Sequence, residues 1–544
     1  MITILTLPLL ALQFALPEGM MATITAEKLR NHIAVLSHDS LEGRGPASNG
    51  DRKATEYIVS QFKKLGLQPA GENGTFLQKV PMVGVTVDPK SVLAIAKGKE
   101  KLSLAYSTDF VAATGIYDPA ITVNNAEMVF VGYGIVAPEQ GWDDYKDADI
   151  RGKIIVMMNN DPSSDDPKFF AGKGRTYYGR WTYKYEIAAE KGALGAIVIH
   201  TTPSAGYRYE VIRNSWSREM FDLEEKSTTP VLRLKAWTTE DATRKYFQLA
   251  GFSLDSLMKL AEEKTFKPIP LGITLSTAMK LSVKRLQTNN IIGKVEGSDP
   301  VLKDQYLVFS AHFDHFGIGI PVNGDSIYNG ALDNASGTAL MQTFAEAFAS
   351  LKEKPKRSLL FAAVAAEEQG LLGSKYFANN PTVPARQIAA NINTDVINTI
   401  GPTKDIFFQG SDRSSLGSDL ALVAKEMGLT VRNDPAPEQG GFYRSDHFSF
   451  AKVGIPAMSM GSGRDVVGVD TAVVRMMRER GAKNYHQPSD EMYDDWNYHG
   501  ALQQAEIVLR IAWRVANIIE MPYWNPGDEF GVVRKKSLEI PNSK

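Results

Sequence analysis

The feature that most constrains the fold is an alternation of apolar, strand-like runs with helical runs after about residue 286. The strand-like runs are YLVFSA (306–311), RSLLFAAVAA (357–366), QIAANINT (387–394) and GIPAMSMG (454–461). Helical patterns such as residues 337–352 and 416–428 lie between them. This alternation is typical of a mainly parallel sheet with helices on both faces. We therefore predict an α/β fold with a parallel-cored mixed sheet.

The earlier part of the chain shows other hydrophobic patterns. Residues 24–67 carry two helical patterns of apolar residues, and residues 79–120 read as β-structure. Residues 122–285 mix strand-like runs such as GKIIVMMNN (152–160) and GAIVIH (195–200) with helical ones. We predict that residues 122–285 form a separate, smaller mixed α/β unit inserted in the chain.

Composition excludes several classes of protein. The chain has 544 residues, of which 43% are hydrophobic and 22% are charged, as in ordinary globular proteins. Its 60 basic and 62 acidic residues give a net charge of −2, which argues against a dedicated nucleic-acid binder. There is no cysteine, so thiolate metal sites, iron–sulfur clusters and cysteine nucleophiles are excluded. Any metal site must use Asp, Glu and the 8 histidines.

The N-terminus carries an apolar run at residues 2–16. Its length is that of a signal-peptide core and is below the roughly 20 residues that cross a bilayer. We therefore predict a signal peptide over residues 1–21, an extracytoplasmic location (periplasmic or secreted) and no integral membrane segment. The alternative is a short apolar helix.

Side chains that bind metals follow the predicted strands at their carboxyl ends. The residues concerned are His312, Asp314 and His315 after the first run, Glu367 and Glu368 after the second, and Asp395 after the third. Asp333 lies in the loop NGALDNASG between the first two, and Tyr485 and His486 lie in a later loop. Ligands of open α/β sheets bind at the carboxyl ends of the strands. The sequence therefore predicts a polar site at that edge.

This set of residues suits a pair of divalent ions. Two such ions need a bridging carboxylate, further nitrogen and oxygen ligands, and a base for the attacking water. Zinc prefers imidazole and carboxylate ligands. Each residue alone has an ordinary explanation, since Asp333 fits a helix N-cap and the Glu367-Glu368 pair fits a solvated surface. Their joint order and common placement favour the metal site, and two adjacent charges after an apolar strand need a positive partner.

At this point the motifs resemble a known family. The strings GSDPVLKDQYLVFSAHFDHFG, NGALDNASG, AAEEQGLLGSKYF, NINTDVI and YHQPSDE occur in an order and spacing similar to those of the co-catalytic di-zinc aminopeptidases. The segment that begins LEGRGPASNGD also resembles the start of that catalytic domain. The stretches VFVGYGIVAPEQGWDDYKDADIRGKIIV and AAEKGALGAIVIH resemble the protease-associated domain that is often inserted there.

The resemblance implies roles for individual residues and a cofactor of two zinc ions per chain. His312 and Asp395 are expected to hold one zinc, and Glu368 and His486 the other. Asp333 is expected to bridge them. The catalytic residues are expected to be Glu367 as general base, Asp314 as the carboxylate that orients His312, and Tyr485 as the phenol that stabilises the oxyanion. His315 is not a ligand in the family, and His447 is expected either in the substrate pocket or in packing.

The sequence patterns and the resemblance together predict a domain division. It comprises the signal peptide (1–21), the N-terminal part of the catalytic domain (22–121), the protease-associated domain (122–285), the metal-binding part of the catalytic domain (286–522) and a tail (523–544). We expect the tail to pack loosely, with Arg534, Lys535 and Lys536 in solvent.

The implied activity is that of a zinc-dependent exopeptidase. The simplest form is an aminopeptidase that cleaves N-terminal residues from peptide substrates through a metal-bridging hydroxide. A carboxypeptidase or dipeptidase with the same centre is the first alternative and needs a cation for the substrate carboxylate, for which Arg444 and Arg464 are candidates. A single-zinc cyclase is disfavoured because the ligand set is complete. A non-catalytic, receptor-like relative is the alternative from another class, and zinc content distinguishes it.

Overall fold

A computed structural model describes residues 15–224 and 230–539. Most of the predicted signal peptide, residues 1–14, lies outside the described residues. The strands are β1 (Gln68–Pro69), β2 (Leu77–Val87), β3 (Val92–Lys97), β4 (Glu100–Ala105), β5 (Phe110–Ala113), β6 (Ala120–Phe130), β7 (Val136–Ala137), β8 (Trp142–Asp143), β9 (Ile154–Met158), β10 (Gly195–His200), β11 (Met220–Leu223), β12 (Leu234–Thr239), β13 (Ile269–Val295), β14 (Tyr306–His312), β15 (Gly317–Val322), β16 (Asp325–Tyr328), β17 (Ser358–Val364), β18 (Ile388–Asn393), β19 (Asp405–Ile406), β20 (Thr430–Val431) and β21 (Ala457–Ser459).

The α-helices follow the same chain order. They are α1 (Ala26–Leu36), α2 (Asn49–Lys64), α3 (Trp181–Glu190), α4 (Thr202–Ala205), α5 (Tyr209–Trp216), α6 (Glu240–Ala250), α7 (Leu254–Leu260), α8 (Gly337–Ser350), α9 (Leu372–Asn379), α10 (Ser415–Glu426), α11 (His447–Lys452), α12 (Thr471–Asn484), α13 (His499–Asn517) and α14 (Glu529–Glu539). In the described part of the chain, no helix is both long and apolar enough to span a bilayer.

The chain forms two compact units. Unit 1 comprises Met1–Val80, Gln287–Pro435 and Arg444–Lys544, and unit 2 comprises Pro81–Leu286 and Ala436–Tyr443. Unit 2 therefore includes residues 81–121, which the sequence analysis assigned to the catalytic domain. The reason is strand pairing, because β3 and β6 both pair with the same part of β13.

Unit 1 contains a sheet with a parallel core. Its strand order is β21-β18-β14-β17-β13. The first four strands pair in parallel, and β13 pairs antiparallel with β17 through residues 291–295. Every residue of β17 and β18 is buried, and alternate residues of a strand face opposite sides, so both faces of this core are covered. The predicted fold class is thus confirmed.

The helices of unit 1 cover this sheet with apolar side chains. Phe309 of β14 packs with Phe344 and Phe348 of α8, at ring-centroid distances of 5.5 and 5.9 Å. The same core includes Ile507 and Ile511 of α13. Burial of this kind stabilises a fold by about 25 cal/mol per Å² of apolar surface. The packed sheet therefore gives its carboxyl edge a rigid base.

Unit 2 contains a second sheet with a parallel core. Strands β6, β9, β10 and β12 pair in parallel in that order. β5 pairs antiparallel with β12, and β13 pairs antiparallel with β6. The apolar runs predicted at residues 152–160 and 195–200 contain the buried strands β9 and β10. Unit 2 is therefore a mixed α/β unit in its own right.

The C-terminal segment differs from its prediction. Residues 529–539 form α14, and Phe530 is buried against Trp524 at a ring distance of 5.3 Å. Arg534 is only 6% exposed and donates a hydrogen bond from Nη2 to the carbonyl of Ile388 at 2.8 Å. The prediction of a solvated Arg534 is therefore wrong, because its guanidinium binds main-chain acceptors inside unit 1.

Candidate metal centre

His312 is the last residue of β14 and lies at the carboxyl edge of the unit 1 sheet. Its side chain is 1% exposed. Its Nε2 atom is buried and lacks a hydrogen-bond partner among the described residues. Buried polar atoms are rarely left unpaired unless an ion, a water or a ligand completes the site. His312 thus presents a free nitrogen ligand.

Asp333 lies between two imidazoles. It belongs to the irregular helical turn Ala331–Ser336, directly before α8, and the Asp333–Asn334 peptide bond is cis. Its Oδ1 atom is 3.3 Å from Nε2 of His312, and its Oδ2 atom is 3.5 Å from Nε2 of His486. The two oxygens of one carboxylate therefore face two different nitrogen ligands, as a bridging group requires.

A second carboxylate lies beside each of the two imidazoles, His312 and His486. Oδ1 of Asp395, which follows β18, is 3.6 Å from Nε2 of His312. Oε2 of Glu368, which follows β17, is 3.2 Å from Nε2 of His486. Ligands that bind one tetrahedral zinc at about 2.0–2.1 Å are about 3.3 Å from each other. The observed separations match that value, so these residues fit zinc.

Glu367 is positioned differently from its neighbour. Its Oε2 atom is 4.0 Å from Nε2 of His312, and its side chain is 10% exposed. Its backbone N–H donates to Oδ1 of Asp314 at 3.0 Å, and that of Glu368 donates to Oδ2 at 3.4 Å. Asp314 therefore holds the main chain of both glutamates, a role that the sequence did not indicate. Its Oδ1 atom is 3.8 Å from Nδ1 of His312, whereas the Asp314 carbonyl is nearer, at 3.3 Å.

The electrostatics of the cluster favour bound cations. Burial and neighbouring carboxylates raise the pKa of Glu367 and of Glu368 well above its usual range. Burial opposes protonation of His312, but Glu367, Asp333 and Asp395 outweigh it and raise the pKa of the imidazole. Burial would raise the pKa of Asp333, yet contacts with His312 and His486 hold it well below its usual range. Divalent ions would offset this concentration of negative charge.

Several supporting contacts around the proposed ligands were not predicted from the sequence, although the sequence analysis placed His315 at the same edge. Asp490 accepts hydrogen bonds from the backbone N–H groups of Leu332 and Asp333 at 3.0 and 2.9 Å. Nδ1 of His315 hydrogen-bonds Oε1 of Glu368 at 2.6 Å. Ser445 donates to Oδ2 of Asp395 at 2.5 Å. Asp490 and His315 lie inside the motifs quoted above, so their position in those motifs was the available signal. Partners of this kind orient metal ligands.

Tyr485 and Arg444 flank the cluster on its exposed side. The Tyr485 ring is 48% exposed and stacks on the ring of His486 at 3.7 Å. Nη2 of Arg444 donates to the Tyr485 hydroxyl at 3.4 Å. Arg464 is exposed and its backbone N–H binds Asp405. His447 is fully buried at the start of α11. The structure thus brings Arg444, rather than Arg464, to Tyr485.

A pocket opens beside the cluster. It contains about 490 Å³ of empty space, including open solvent, and Asp333 and Tyr485 are among its lining residues. Val396, Met477 and Trp496 are among its apolar lining residues. An apolar recess with a few polar groups is the usual form of a small-molecule or side-chain pocket.

The cluster at the edge of the unit 1 sheet has the side chains of a candidate metal centre. Comparison with family models agrees, because residues 290–512 match the model described as peptidase family M28. This segment contains every proposed ligand. The predicted resemblance to the di-zinc aminopeptidase family is therefore confirmed for this part of the chain, and the family match does not extend to the inserted unit.

Two proteins that are similar in sequence to part of this chain are described as an inactivating enzyme and a probable zinc metalloprotease. Leupeptin-inactivating enzyme 1 of Streptomyces exfoliatus is 31% identical over 177 residues, which are 32% of this chain and 36% of that protein. A probable zinc metalloprotease of Pyrenophora teres f. teres is 27% identical over 182 residues, or 33% of this chain and 34% of that protein. The chain thus spans about a third of the length of the curated relatives that it matches.

One solved structure is similar over nearly the whole chain. The aminopeptidase from Aneurinibacillus sp. strain AM-1 aligns with 92% of this chain and 97% of its own, at 20% identity and a TM-score of 0.51. At this level of identity the likeness concerns the fold, and it supports the mixed α/β assignment.

Proposed function

We propose that the protein is a zinc-dependent exopeptidase, in the first place an aminopeptidase that acts on peptides. The observation that carries the proposal is the position of Asp333, whose two oxygens face His312 and His486 at 3.3 and 3.5 Å. A single carboxylate between two imidazoles is what a pair of ions requires. The M28 match and the names of the relatives support zinc and peptide hydrolysis.

Under this proposal two zinc ions bind per chain. His312 and Asp395 hold one, Glu368 and His486 hold the other, and Asp333 bridges them. When bound, zinc supplies a Lewis acid that polarises a carbonyl and acidifies a water. The chain itself supplies the charge balance, because its carboxylates converge on one buried edge.

Glu367 acts as the proton carrier. It accepts the proton of the attacking water at its carboxylate and passes that proton to the leaving amine. Its backbone is held by Asp314, while its side chain stays beside His312 rather than beside His486. Burial raises the pKa of Glu367, and bound cations would lower it again.

Tyr485 is proposed to donate a hydrogen bond from its hydroxyl to the oxyanion of the tetrahedral intermediate. Its exposure leaves the ring accessible to substrate, and stacking on His486 keeps it near the ligands. The pocket lined by Val396, Met477 and Trp496 is proposed to receive an apolar part of the substrate.

A substrate panel tests the proposal. We expect the zinc-loaded chain to cleave free peptides and amino-acid amides, and to lose at least 95% of its activity, on the order of 1.8 kcal/mol, when the amine is blocked. Retained activity on N-blocked peptides, with loss on C-blocked ones, would instead identify a carboxypeptidase. Arg444 beside Tyr485 is the observation that favours this second candidate, because it is a cation near the site.

Two further proposals concern the rest of the chain. We propose that unit 2 is a protease-associated domain, supported by the motifs in residues 129–156 and 188–200 and by its mixed α/β sheet. We also propose an extracytoplasmic location, periplasmic or secreted, on the apolar run at residues 2–16. N-terminal sequencing of the protein recovered outside the cytoplasm tests the latter, and recovery only from the cytoplasm contradicts it.

A further inference from the structure

Arg44 is a buried cation that the proposed chemistry does not use. It ends the turn Asp39–Arg44 between α1 and α2, and it is 0% exposed. The hydrogen bonds that its guanidinium donates in the described structure end on main-chain carbonyl oxygens. Nε donates to Phe313 at 2.6 Å, Nη1 donates to Asn329 at 2.7 Å and to Leu36, and Nη2 donates to Gly330 at 3.0 Å.

Three of these four acceptors lie on the two segments that carry proposed metal ligands, and the fourth, Leu36, ends α1. Phe313 directly follows His312, and Asn329 and Gly330 directly precede the turn that contains Asp333. One side chain therefore ties the His312 segment to the Asp333 segment. A guanidinium suits this task because its donors form a rigid planar fork, whereas a lysine ammonium is a point charge on a flexible stem.

The turn that carries Arg44 is shaped for close approach to the same region. Glu42, Gly43 and Arg44 have φ values of 51°, 64° and 51°. A Cβ atom on Gly43 would lie 2.4 Å from the carbonyl oxygen of Tyr328, so only glycine fits there. Left-handed conformations at non-glycine residues persist where the surrounding structure over-determines them, often at functional sites.

The charge of Arg44 also reaches the metal cluster. Burial lowers its pKa to about 10, so the guanidinium stays protonated near neutral pH, and Asp314, Asp490, Asp333 and Glu368 favour the charged form. A buried cation is costly unless compensated. The compensation here comes from the carboxylates of the metal centre and their supporting residues.

We propose that Arg44 is a positioning residue for the metal centre. It holds the His312 and Asp333 segments at the separation that ion binding requires, and it supplies a fixed positive charge among the carboxylates. This inference rests on the proposed function to the extent that the centre binds zinc. A structural role alone would affect folding and leave zinc affinity unchanged.

The chain offers a matched control for this test. Arg357 is also fully buried, and its guanidinium donates to the carbonyls of Val515, Ile518 and Ile519 at 2.5, 2.5 and 2.7 Å. These carbonyls lie at the end of α13 and beyond, and Nε donates to Oε1 of Gln305 at 2.8 Å, at the amino end of β14 and therefore at the opposite end of that strand from His312. Arg44→Lys and Arg357→Lys therefore remove comparable networks at different places.

The experiment measures zinc affinity of the full chain by competition with a chelator, well below the melting temperature of each variant. We expect both substitutions to lower Tm, Arg44→Lys to weaken zinc binding at least tenfold, and Arg357→Lys to change it less than twofold. Equal zinc affinity in the parent and Arg44→Lys overturns the inference alone. No zinc binding by the parent overturns the proposed function as well.

A milder variant covers the case in which Arg44→Lys does not fold. Gly45→Ala keeps the guanidinium, but its Cβ would lie 3.1 Å from Cα of Gly317, so the turn must shift by a few tenths of an ångström. We expect zinc binding about threefold to tenfold weaker than in the parent, together with an altered absorption spectrum of the cobalt-substituted protein. Parent-like affinity and spectrum in this variant contradict the inference.

Discussion

Each of the two units contains a sheet with a parallel core, and the residues at the carboxyl edges of the two sheets differ. In unit 1, His312, Glu367, Glu368 and Asp395 end or follow neighbouring strands and converge. In unit 2, Asp161 follows β9 and His200 ends β10. Within the described residues, the groups of ligand atoms close enough to share an ion lie in unit 1 alone.

At the unit 2 edge, Asp161 has local hydrogen-bond partners, whereas Nε2 of His200 is buried without a hydrogen-bond partner among the described residues. Oδ2 of Asp161 accepts hydrogen bonds from the backbone N–H and the hydroxyl of Thr176, the former at 2.8 Å. The ring of His200 packs against those of Tyr209 and Trp237, at 5.4 and 6.2 Å. The comparison teaches that a parallel sheet provides an edge, and that convergence of unpaired ligands at that edge determines whether it can hold metal.

The largest expected effect separates the two edges by catalysis. Glu367→Gln should lower kcat by about 10²–10⁴-fold, because the variant cannot accept the proton of water, while zinc content stays at the parent level. Asp161→Asn, the matched change at the unit 2 edge, should leave kcat per folded molecule within about twofold of the parent, or roughly 0.4 kcal/mol. Steady-state kinetics with metal analysis measure both. Parent-like turnover by Glu367→Gln removes the role of the base.

The next effect concerns metal affinity. Asp333→Asn should weaken zinc binding by roughly 100-fold or more. An amide is a weaker ligand than a carboxylate, and each of the two proposed zinc sites would lose the carboxylate that they share. Calorimetric or chelator titration measures the loss. An unchanged affinity would show that Asp333 does not lie between the ions.

A smaller effect is expected from the exposed side of the centre. Tyr485→Phe should lower kcat about tenfold, or about 1.4 kcal/mol, with little change in KM, because only the transition state gains the hydroxyl contact. The ring and its stacking on His486 are retained. If kcat is unchanged and KM rises instead, Tyr485 contributes to binding rather than to oxyanion stabilisation.

The last effect concerns stability rather than catalysis, at a buried acid that is not a proposed ligand. Burial raises the pKa of Asp51 to about 7 from 3.8, so between these values the folded chain holds a proton that the unfolded chain lacks. The free energy of unfolding should therefore fall by about 1 kcal/mol per pH unit as pH rises from 4 to 7. Asp51→Asn should make the pH dependence less steep by this amount, while other buried acids such as Asp446 and Asp490, whose pKa burial also raises to about 7, keep their own contributions.

Urea denaturation of metal-free parent and variant at three pH values in this window measures the difference. Removing zinc from both proteins keeps metal linkage out of the comparison. Parallel pH dependence in the two proteins would show that Asp51 titrates normally. Turnover of the zinc-loaded variant should match that of the parent at pH 7, which separates Asp51 from the metal centre.

The parallel sheet and the grouping of metal-type side chains at its edge were predictable because each depends on local signals. Apolar runs identified β14, β17 and β18, and metal-type side chains directly after them identified the edge. The contact of Asp490 with the backbone of Asp333 was not predictable, because it joins residues 157 positions apart. The hydrogen bonds from Arg44 to Phe313 and Gly330 were not predictable for the same reason, because they join residues 269 and 286 positions apart.

The boundary of unit 2 and the packing of the C-terminal helix could not be predicted from sequence patterns either. Unit 2 begins at Pro81 because strand pairing, rather than composition, decides which residues pack together. Arg534 looked like part of a solvated basic run, and it is buried because carbonyl acceptors of unit 1 are available to it. Both outcomes depend on tertiary contacts that a single sequence does not display.

The central claim is that the carboxyl edge of unit 1 holds two metal ions on either side of Asp333. Anomalous diffraction at the zinc edge from crystals of the zinc-loaded chain tests it most directly. The account predicts two peaks about 3.5–4 Å apart, one beside His312 and Asp395 and the other beside Glu368 and His486. A single peak, or peaks away from Asp333, would contradict it.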